Sequence, residues 1–255
     1  MAALEILPNH LIKAVAVNHN TSAYMELMVR SLFAQYPQDS SLGFLLYIYD
    51  NASKDEMTEL ETYAESQRIP IIQLGFTTET EHNSHGEVLR QFVLENPEAT
   101  HYLFLESDVC ILEDLTLNSM LIELEHTTNV FGIGPRMSWD GIEEIPESNW
   151  KANPDIYDAR LHPCCALVKN TPLFRNVVEE IGLSCVKYLW AEAEEYRDTF
   201  KLMTKLMKTH GLKHTITSKM VMHLFSVSYY WEPTQHSNEA KAKRRDELVA
   251  IFRNF

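Results

Sequence analysis

The feature that most restricts this chain is a rhythm in its first 106 residues. Four short apolar runs, IKAVAV (12–17), GFLLYIYD (43–50), PIIQLG (70–75) and HYLFL (101–105), are separated by stretches of helical periodicity. Between the first two, Tyr24, Leu27, Met28, Ser31 and Leu32 fall on one helical face, with Thr21 or Ser22 placed to cap its start. Ser53 stands three residues before Glu56, a capping-box spacing that predicts a helix running through Tyr63. His85 to Leu94 reads as the third helix, with Pro97 helping to end it.

A β-α-β-α-β-α-β alternation predicts an α/β fold, a Rossmann-type, mostly parallel sheet with helices on both faces. Crossovers between parallel strands are right-handed, so the loops that follow the strands gather along one edge. Ligands of open α/β sheets bind at that edge. The polar clusters Asn18-His19-Asn20, Asp50-Asn51, His82 to Gly86 and Glu106-Ser107-Asp108 follow the four runs and are expected to converge there. The fourth cluster is the most pointed, because a buried strand that runs into two carboxylates either ends at a surface turn or delivers them to a cation.

The second half is less regular. Residues 129–163 mix Gly, Pro, Trp and acids and read as long loops with short strands; CCALVKN (164–170) reads as a further strand. A long helical zone is expected from Asn176 to His210, closed by Gly211. His223 ends the apolar run SKMVMHLF, and NEAKAKRRDELVAIF reads as an amphipathic helix with a basic first half.

The formal net charge of −14 argues against broad adhesion to nucleic acid or anionic membrane. No apolar run approaches a membrane span, and MAALEILPNHLIK lacks the pattern of a signal peptide, so a cytoplasmic protein is expected. Cys110, Cys164, Cys165 and Cys185 have no CxxC spacing and read as buried thiols. A P-loop, a dinucleotide fingerprint after the first strand, a GxSxG elbow and HExxH are all absent.

The order of segments resembles the nucleotide-diphospho-sugar glycosyltransferases of the GT-A fold, family 2 in particular. Asn18-His19-Asn20 matches the turn after that family's first strand; Asp50-Asn51-Ala52-Ser53, with Asp55 behind, matches its second. Ser84-His85-Gly86 corresponds loosely to an Asn-x-Gly element, and Glu106-Ser107-Asp108 to the Asp-x-Asp metal motif. The likeness covers the first 120 residues well and the remainder in outline.

The resemblance implies a single GT-A-like domain over 1–255, with a nucleotide-sugar half (1–120) and an acceptor half plus tail (121–255). It implies a metal-dependent transfer from a UDP- or dTDP-sugar, using Mn²⁺ or Mg²⁺, to an acceptor that is a glycan, a lipid-linked or small molecule, or a protein. Asp108 corresponds to the direct metal ligand, and His223 to a late metal or phosphate contact. Glu106 departs from Asp and reaches the ribose or a metal-bound water. Asp50 would accept from the imide N–H of uracil or thymine, Asn18 would contact base or ribose, and His19, standing where the family often has Tyr, would stack on the base. Asn20, Asn51, Ser107 and Gly86 line the donor site, and His82 and His85 lie within reach of phosphate.

An inverting transfer needs a carboxylate to deprotonate the acceptor. Within AEAEEYRDTF (191–200), Asp198 is the first choice and Glu195 the second, with Glu192 and Glu194 as rivals. Trp139 is a candidate sugar platform in a middle segment that also carries Asp140, Trp150, Tyr157 and Asp158; the alternative for each aromatic is loop anchoring. Lys241, Lys243, Arg244 and Arg245 either close over a diphosphate from a mobile tail or form a solvated basic face. Two other readings fit the same segments: a sugar-nucleotide nucleotidyltransferase, whose Gly-rich basic N-terminal loop is missing here, and a catalytically inactive relative that binds a nucleotide or glycan.

Overall fold

A computed structural model describes residues 10–36, 42–74, 84–184, 198–225, 227 and 235–253. Its centre is one eight-stranded sheet: β1 (Ile12–Asn18), β2 (Phe44–Asn51), β3 (Ile71–Leu74), β4 (His101–Glu106), β5 (Val109–Cys110), β6 (Val130–Ser138), β7 (Cys165–Lys169) and β8 (Lys213–His223), in the order β3-β2-β1-β4-β7-β6-β8-β5. The first four sequence runs are the strands β1 to β4, paired in parallel. The helices are α1 (Ser22–Gln35), α2 (Thr58–Ser66), α3 (Ser84–Glu95), α4 (Thr116–His126), α5 (Glu147–Ala152), α6 (Pro172–Ile181), α7 (Lys201–Thr209) and α8 (Gln235–Phe252).

The central strands are buried on both faces, which is why they read as continuous apolar runs. Alternate side chains feed two cores. Ile12, Ala14 and Ala16 of β1, with Leu103 and Leu105 of β4, pack with Met25, Met28 and Leu32 of α1 and with Met120 and Leu124 of α4. Val15, Val17, Tyr102 and Phe104 face the opposite way, toward Val88 and Phe92 of α3 and Phe174 of α6.

Beyond β4 the sheet turns mixed. β7 runs antiparallel to β4 and β6 antiparallel to β7, so β6 again points the same way as β4; β8 is parallel to β6. The carboxyl ends of β1, β2, β4, β6 and β8 therefore share one edge, whereas β7 presents its amino end there.

Several local expectations are corrected. The middle segment contains a nine-residue strand, β6, almost wholly buried, rather than only short strands. The long helix expected over 176–210 is divided: α6 ends at Gly182 (φ +77°), where a residue without Cβ turns the chain at little cost, and α7 starts only at Lys201, after Phe200 (φ +71°). Ser53 caps nothing; α2 starts at Thr58, and Ser53 is drawn instead to the end of β1. Thr21 stands at the N-cap of α1 without a capping bond, and the Asp55 carboxylate takes its place, accepting from the Ser22 N–H at 2.8 Å. A negative group at a helix N-terminus is favoured by the helix dipole.

The basic tail is docked. α8 lays Leu248 and Val249 against Leu27 of α1 and Met222 of β8, two apolar side chains worth at most about 1.5–3 kcal/mol each when buried. Arg253, just past its end, reaches Glu26 at 3.1 Å and Glu59 at 2.8 Å. No helix among the described residues is long and apolar enough to cross a membrane. Cys110, Cys164 and Cys165 are buried free thiols, and burial pushes Cys110 and Cys165 up to about 12, so neither is a ready nucleophile. Cys185 lies outside the described residues.

Candidate active site

Strand register aligns the first polar residues. Asn18 pairs with Asp50 across β1 and β2, and Val17 pairs with Glu106 across β1 and β4. Asn18 is wholly buried and acts as a hub: its amide nitrogen lies 2.9 Å from Asp50 Oδ1, 2.9 Å from Ser22 Oγ and 3.1 Å from Ser53 Oγ. Its amide oxygen accepts from the Thr21 hydroxyl at 3.0 Å. With every polar atom of its side chain engaged, Asn18 holds Asp50 in place.

His19 Nδ1 lies 2.7 Å from the Asn51 carbonyl, and Asn20, in the left-handed region (φ +56°), accepts from the Lys54 N–H at 2.7 Å. These bonds stitch the β1–α1 loop to the β2–α2 loop and leave the His19 ring at the rim. The buried Asn51 side-chain oxygen has no hydrogen-bond partner among the described residues.

The acidic pair lies one strand over. Glu106 ends β4, Ser107 and Asp108 make the turn, and β5 follows. Val109 of β5 pairs antiparallel with His223 of β8, and the Leu224 N–H donates to the Asp108 carbonyl at 3.1 Å. That pairing carries His223 across 115 residues of sequence, so that its Nε2 lies 3.0 Å from Glu106 Oε2 and 3.1 Å from Asp108 Oδ1. Ser107 is half-buried in the turn.

The electrostatics follow from this contact. Burial alone would lower His223, but the Asp108 and Glu106 carboxylates outweigh it and raise the ring to about 9. Burial would raise Glu106; the hydrogen bond and charge of His223 win and hold it well below the usual carboxylate range. The His223 ring is buried, its Nδ1 has no hydrogen-bond partner among the described residues, and it packs at a tilt on Phe225 at a centroid distance of 3.7 Å.

Two oxygen donors and an imidazole nitrogen, all within 4.8 Å of one another, suit a hard or borderline divalent cation such as Mn²⁺. The proton that His223 otherwise holds between two acids is the group a cation would replace.

Three neighbours were not among the expected site residues, Cys164 being expected only as a buried thiol. His162 stacks edge-on to His223 at 5.3 Å, and burial keeps it neutral, well below an ordinary histidine. Arg160 donates to the Thr199 carbonyl at 3.0 Å and lies 3.9 Å from Asp198. Cys164 places its thiol near both histidines. All three precede the antiparallel strand β7. Searching after apolar runs finds the ends of parallel strands, but an antiparallel strand brings the residues before it to the same edge.

His85 reaches this group: its Nδ1 lies 3.0 Å from Thr199 Oγ1, and burial depresses it while the Glu106 field opposes. Gly86 lies against Ser184: a Cβ there would sit 2.1 Å from Ser184 Oγ. Asp198 is exposed beside Arg160. Glu192, Glu194, Glu195 and His82 lie outside the described residues.

Trp139, just beyond β6, is 48% exposed and free to meet a ligand, whereas Trp150 packs on the buried Tyr157. Asp140 organises the turn after Trp139, accepting from Ser138 Oγ and the Ile142 N–H at 2.9 and 2.8 Å. From α8, Lys241 donates to the Phe225 carbonyl at 2.6 Å; burial lowers its affinity for a proton and the Asp108 charge restores part of it. Arg245 lies over the Tyr24 ring at 4.7 Å and pairs with Asp246 at 2.7 Å.

No family model matches the chain, and no curated protein matches it by sequence. Solved structures do. The mannosyltransferase PcManGT from Pyrobaculum calidifontis, in complex with GDP-Man and Mn²⁺, superposes with a TM-score of 0.60 at 11% identity, over 94% of this chain and 73% of that one. S. aureus TarS 1–349 with UDP-GlcNAc gives 0.56 at 17%, over 95% and 71%. Mycobacterium tuberculosis glucosyl-3-phosphoglycerate synthase with Mn²⁺, UDP-glucose and phosphoglyceric acid gives 0.54 at 11%, over 97% and 82%. The chain has the GT-A fold of nucleotide-sugar glycosyltransferases.

Proposed function

From that fold and this site, we propose that the chain is a metal-dependent glycosyltransferase that moves a sugar from a nucleoside diphosphate sugar, UDP or dTDP, to an acceptor hydroxyl. One observation carries the reading: Glu106, Asp108 and His223 meet at the carboxyl edge of the parallel strands, one strand from the Asn18–Asp50 pair. The spacing suits a nucleotide whose base lies over β1 and β2 and whose diphosphate lies over β4 and β5. The same fold in neighbours crystallised with GDP-Man, UDP-GlcNAc and UDP-glucose supports it.

Asp50, fixed by Asn18, accepts from the imide N–H of the base, and the His19 ring covers its face. Asp108 and His223 hold the cation, with Glu106 beside them. When bound, Mn²⁺ or Mg²⁺ neutralises the charge that builds on the departing diphosphate. Lys241 lends a second positive group by releasing the Phe225 carbonyl to meet a phosphate oxygen.

Burial keeps His162 and His85 from adding charge beneath the site, and the His162 ring packs edge-on against His223. Asp198, beside the Arg160 guanidinium, is the acid placed to take the acceptor proton in an inverting transfer. Trp139 offers an exposed ring face for the acceptor.

A thermal-shift panel of UDP, GDP, CDP, dTDP and ADP, each with and without Mn²⁺, tests the donor site. A ligand that binds only the folded chain raises its melting temperature. The expected result is a Mn²⁺-dependent rise with UDP or dTDP that is lost in Asp108→Asn. No rise with any nucleotide overturns the reading.

A further inference from the structure

The opposite edge of the sheet holds a second cluster. His101 opens β4, five residues before Glu106, so about 17 Å of strand separates it from the donor site. It is buried, and its Nε2 lies 2.8 Å from Oε1 of Glu125, near the end of α4. His10, just before β1, sets its ring edge-on to His101 at a centroid distance of 5.1 Å. The His10 Nδ1 is buried and has no hydrogen-bond partner among the described residues. Ligand atoms of the three side chains lie within 4.8 Å of one another, although they come from three separate elements.

We propose that His10, His101 and Glu125 form a zinc site that ties the segment before β1 to the amino end of β4 and to α4. Two imidazoles and one carboxylate are a common ligand set for Zn²⁺, which leaves a fourth position for water. Tetrahedral ligands at the usual Zn–N and Zn–O lengths stand about 3.3 Å apart, so His101 and Glu125 need open by only about half an ångström. Burial lowers the proton affinity of His101, leaving a neutral ring with a lone pair to give. His101 Nδ1 is held at 3.1 Å by the Thr100 hydroxyl, the outer bond that fixes the orientation of a ligating histidine.

One neighbour opposes the ion. Lys169, paired with His101 across β4 and β7, places its ammonium 3.7 Å from the same Glu125 oxygen. A cation entering the cluster must displace it, which makes Lys169 a built-in competitor.

The test is a zinc titration of the full-length, chelator-stripped chain against a chromophoric competitor, in a His223→Gln background that breaks both ligand groupings at the donor site. The expected result is one equivalent of tightly held Zn²⁺, with affinity falling at least about tenfold in His10→Gln and in Glu125→Gln. Lys169→Met should tighten binding in the same assay, a gain that general loss of structure cannot mimic. Binding that is substoichiometric, or indifferent to His10→Gln and Lys169→Met, overturns the proposal. Because nucleotide is absent throughout, the outcome is independent of the donor-site reading.

Discussion

Asn18→Ala is the sharpest perturbation available. The side chain is fully buried, and its amide nitrogen serves Asp50, Ser22 and Ser53, while its oxygen accepts from Thr21. Two amide hydrogens cannot satisfy three acceptors at once, so the loss amounts to two donated bonds and one accepted bond. A bond to a charged acceptor is worth about 1.5–3 kcal/mol and a neutral one about 0.5–1.5.

Asp50 is 2% exposed, and its other contact is a longer bond, 3.3 Å from the Ser53 N–H, so the carboxylate would be left nearly unserved. A destabilisation of about 3 kcal/mol is expected, equivalent to about 6–12 °C in melting temperature for a chain of this size. Urea denaturation of Asn18→Ala, Asp50→Asn and the double variant measures it. The cycle should return a coupling of at least about 1 kcal/mol, since contacting residues are not additive. A single-variant loss below about 1 kcal/mol, or a coupling near zero, would refute the hub.

Other expectations are briefer. Burial lowers His85, His101, His162 and His214, so the unfolded chain binds more protons below its ordinary histidine pKa, and stability should fall as pH drops from about 7 to 5. His223 has the opposite sign: raised to about 9, its contribution is whole below the unfolded value near 6.5 and fades as pH rises toward 9. Melting curves of metal-free protein across this range should therefore peak near neutrality, and His223→Gln should flatten the alkaline limb. Gly86→Ala forces a Cβ to within 2.5 Å of the Ser184 backbone nitrogen and should cost about 1–3 kcal/mol in urea melts. Lys241→Met should weaken UDP binding while leaving the shift produced by Mn²⁺ alone unchanged; an equal loss of both would remove Lys241 from the phosphate role.

The donor half was legible because its rules are local. Apolar runs of strand length, separated by helical periodicity, dictate parallel strands, and parallel strands bring Asn18, Asp50 and Glu106 to one edge whatever fills the rest of the chain. What each residue does there was decided elsewhere. That Asn18 braces Asp50 could not be read in advance, because Ser22 of α1, Asp50 of β2 and Ser53 of the following loop meet around it only in the fold. Gly86, matched in sequence to a binding element, is where α3 passes close to Ser184.

In the second half His223, Asp198 and Trp139 were named by resemblance or neighbourhood alone, because residues there are positioned by pairing rather than by period. His223 meets Asp108 only through the β5–β8 register, and Arg160 and His162 reach the same edge only because β7 runs backwards. An antiparallel partner leaves no mark in hydrophobic spacing, since a buried strand reads the same in either direction. By itself the sequence determined which segments are strands, which edge gathers the polar turns and that an acidic pair ends β4. The resemblance named His223 as a late metal or phosphate contact, but only the tertiary structure decided how it reaches the acidic pair, that Asp198 stands in solvent beside Arg160, and that the basic tail lies on α1 with Lys241 turned toward the Phe225 carbonyl.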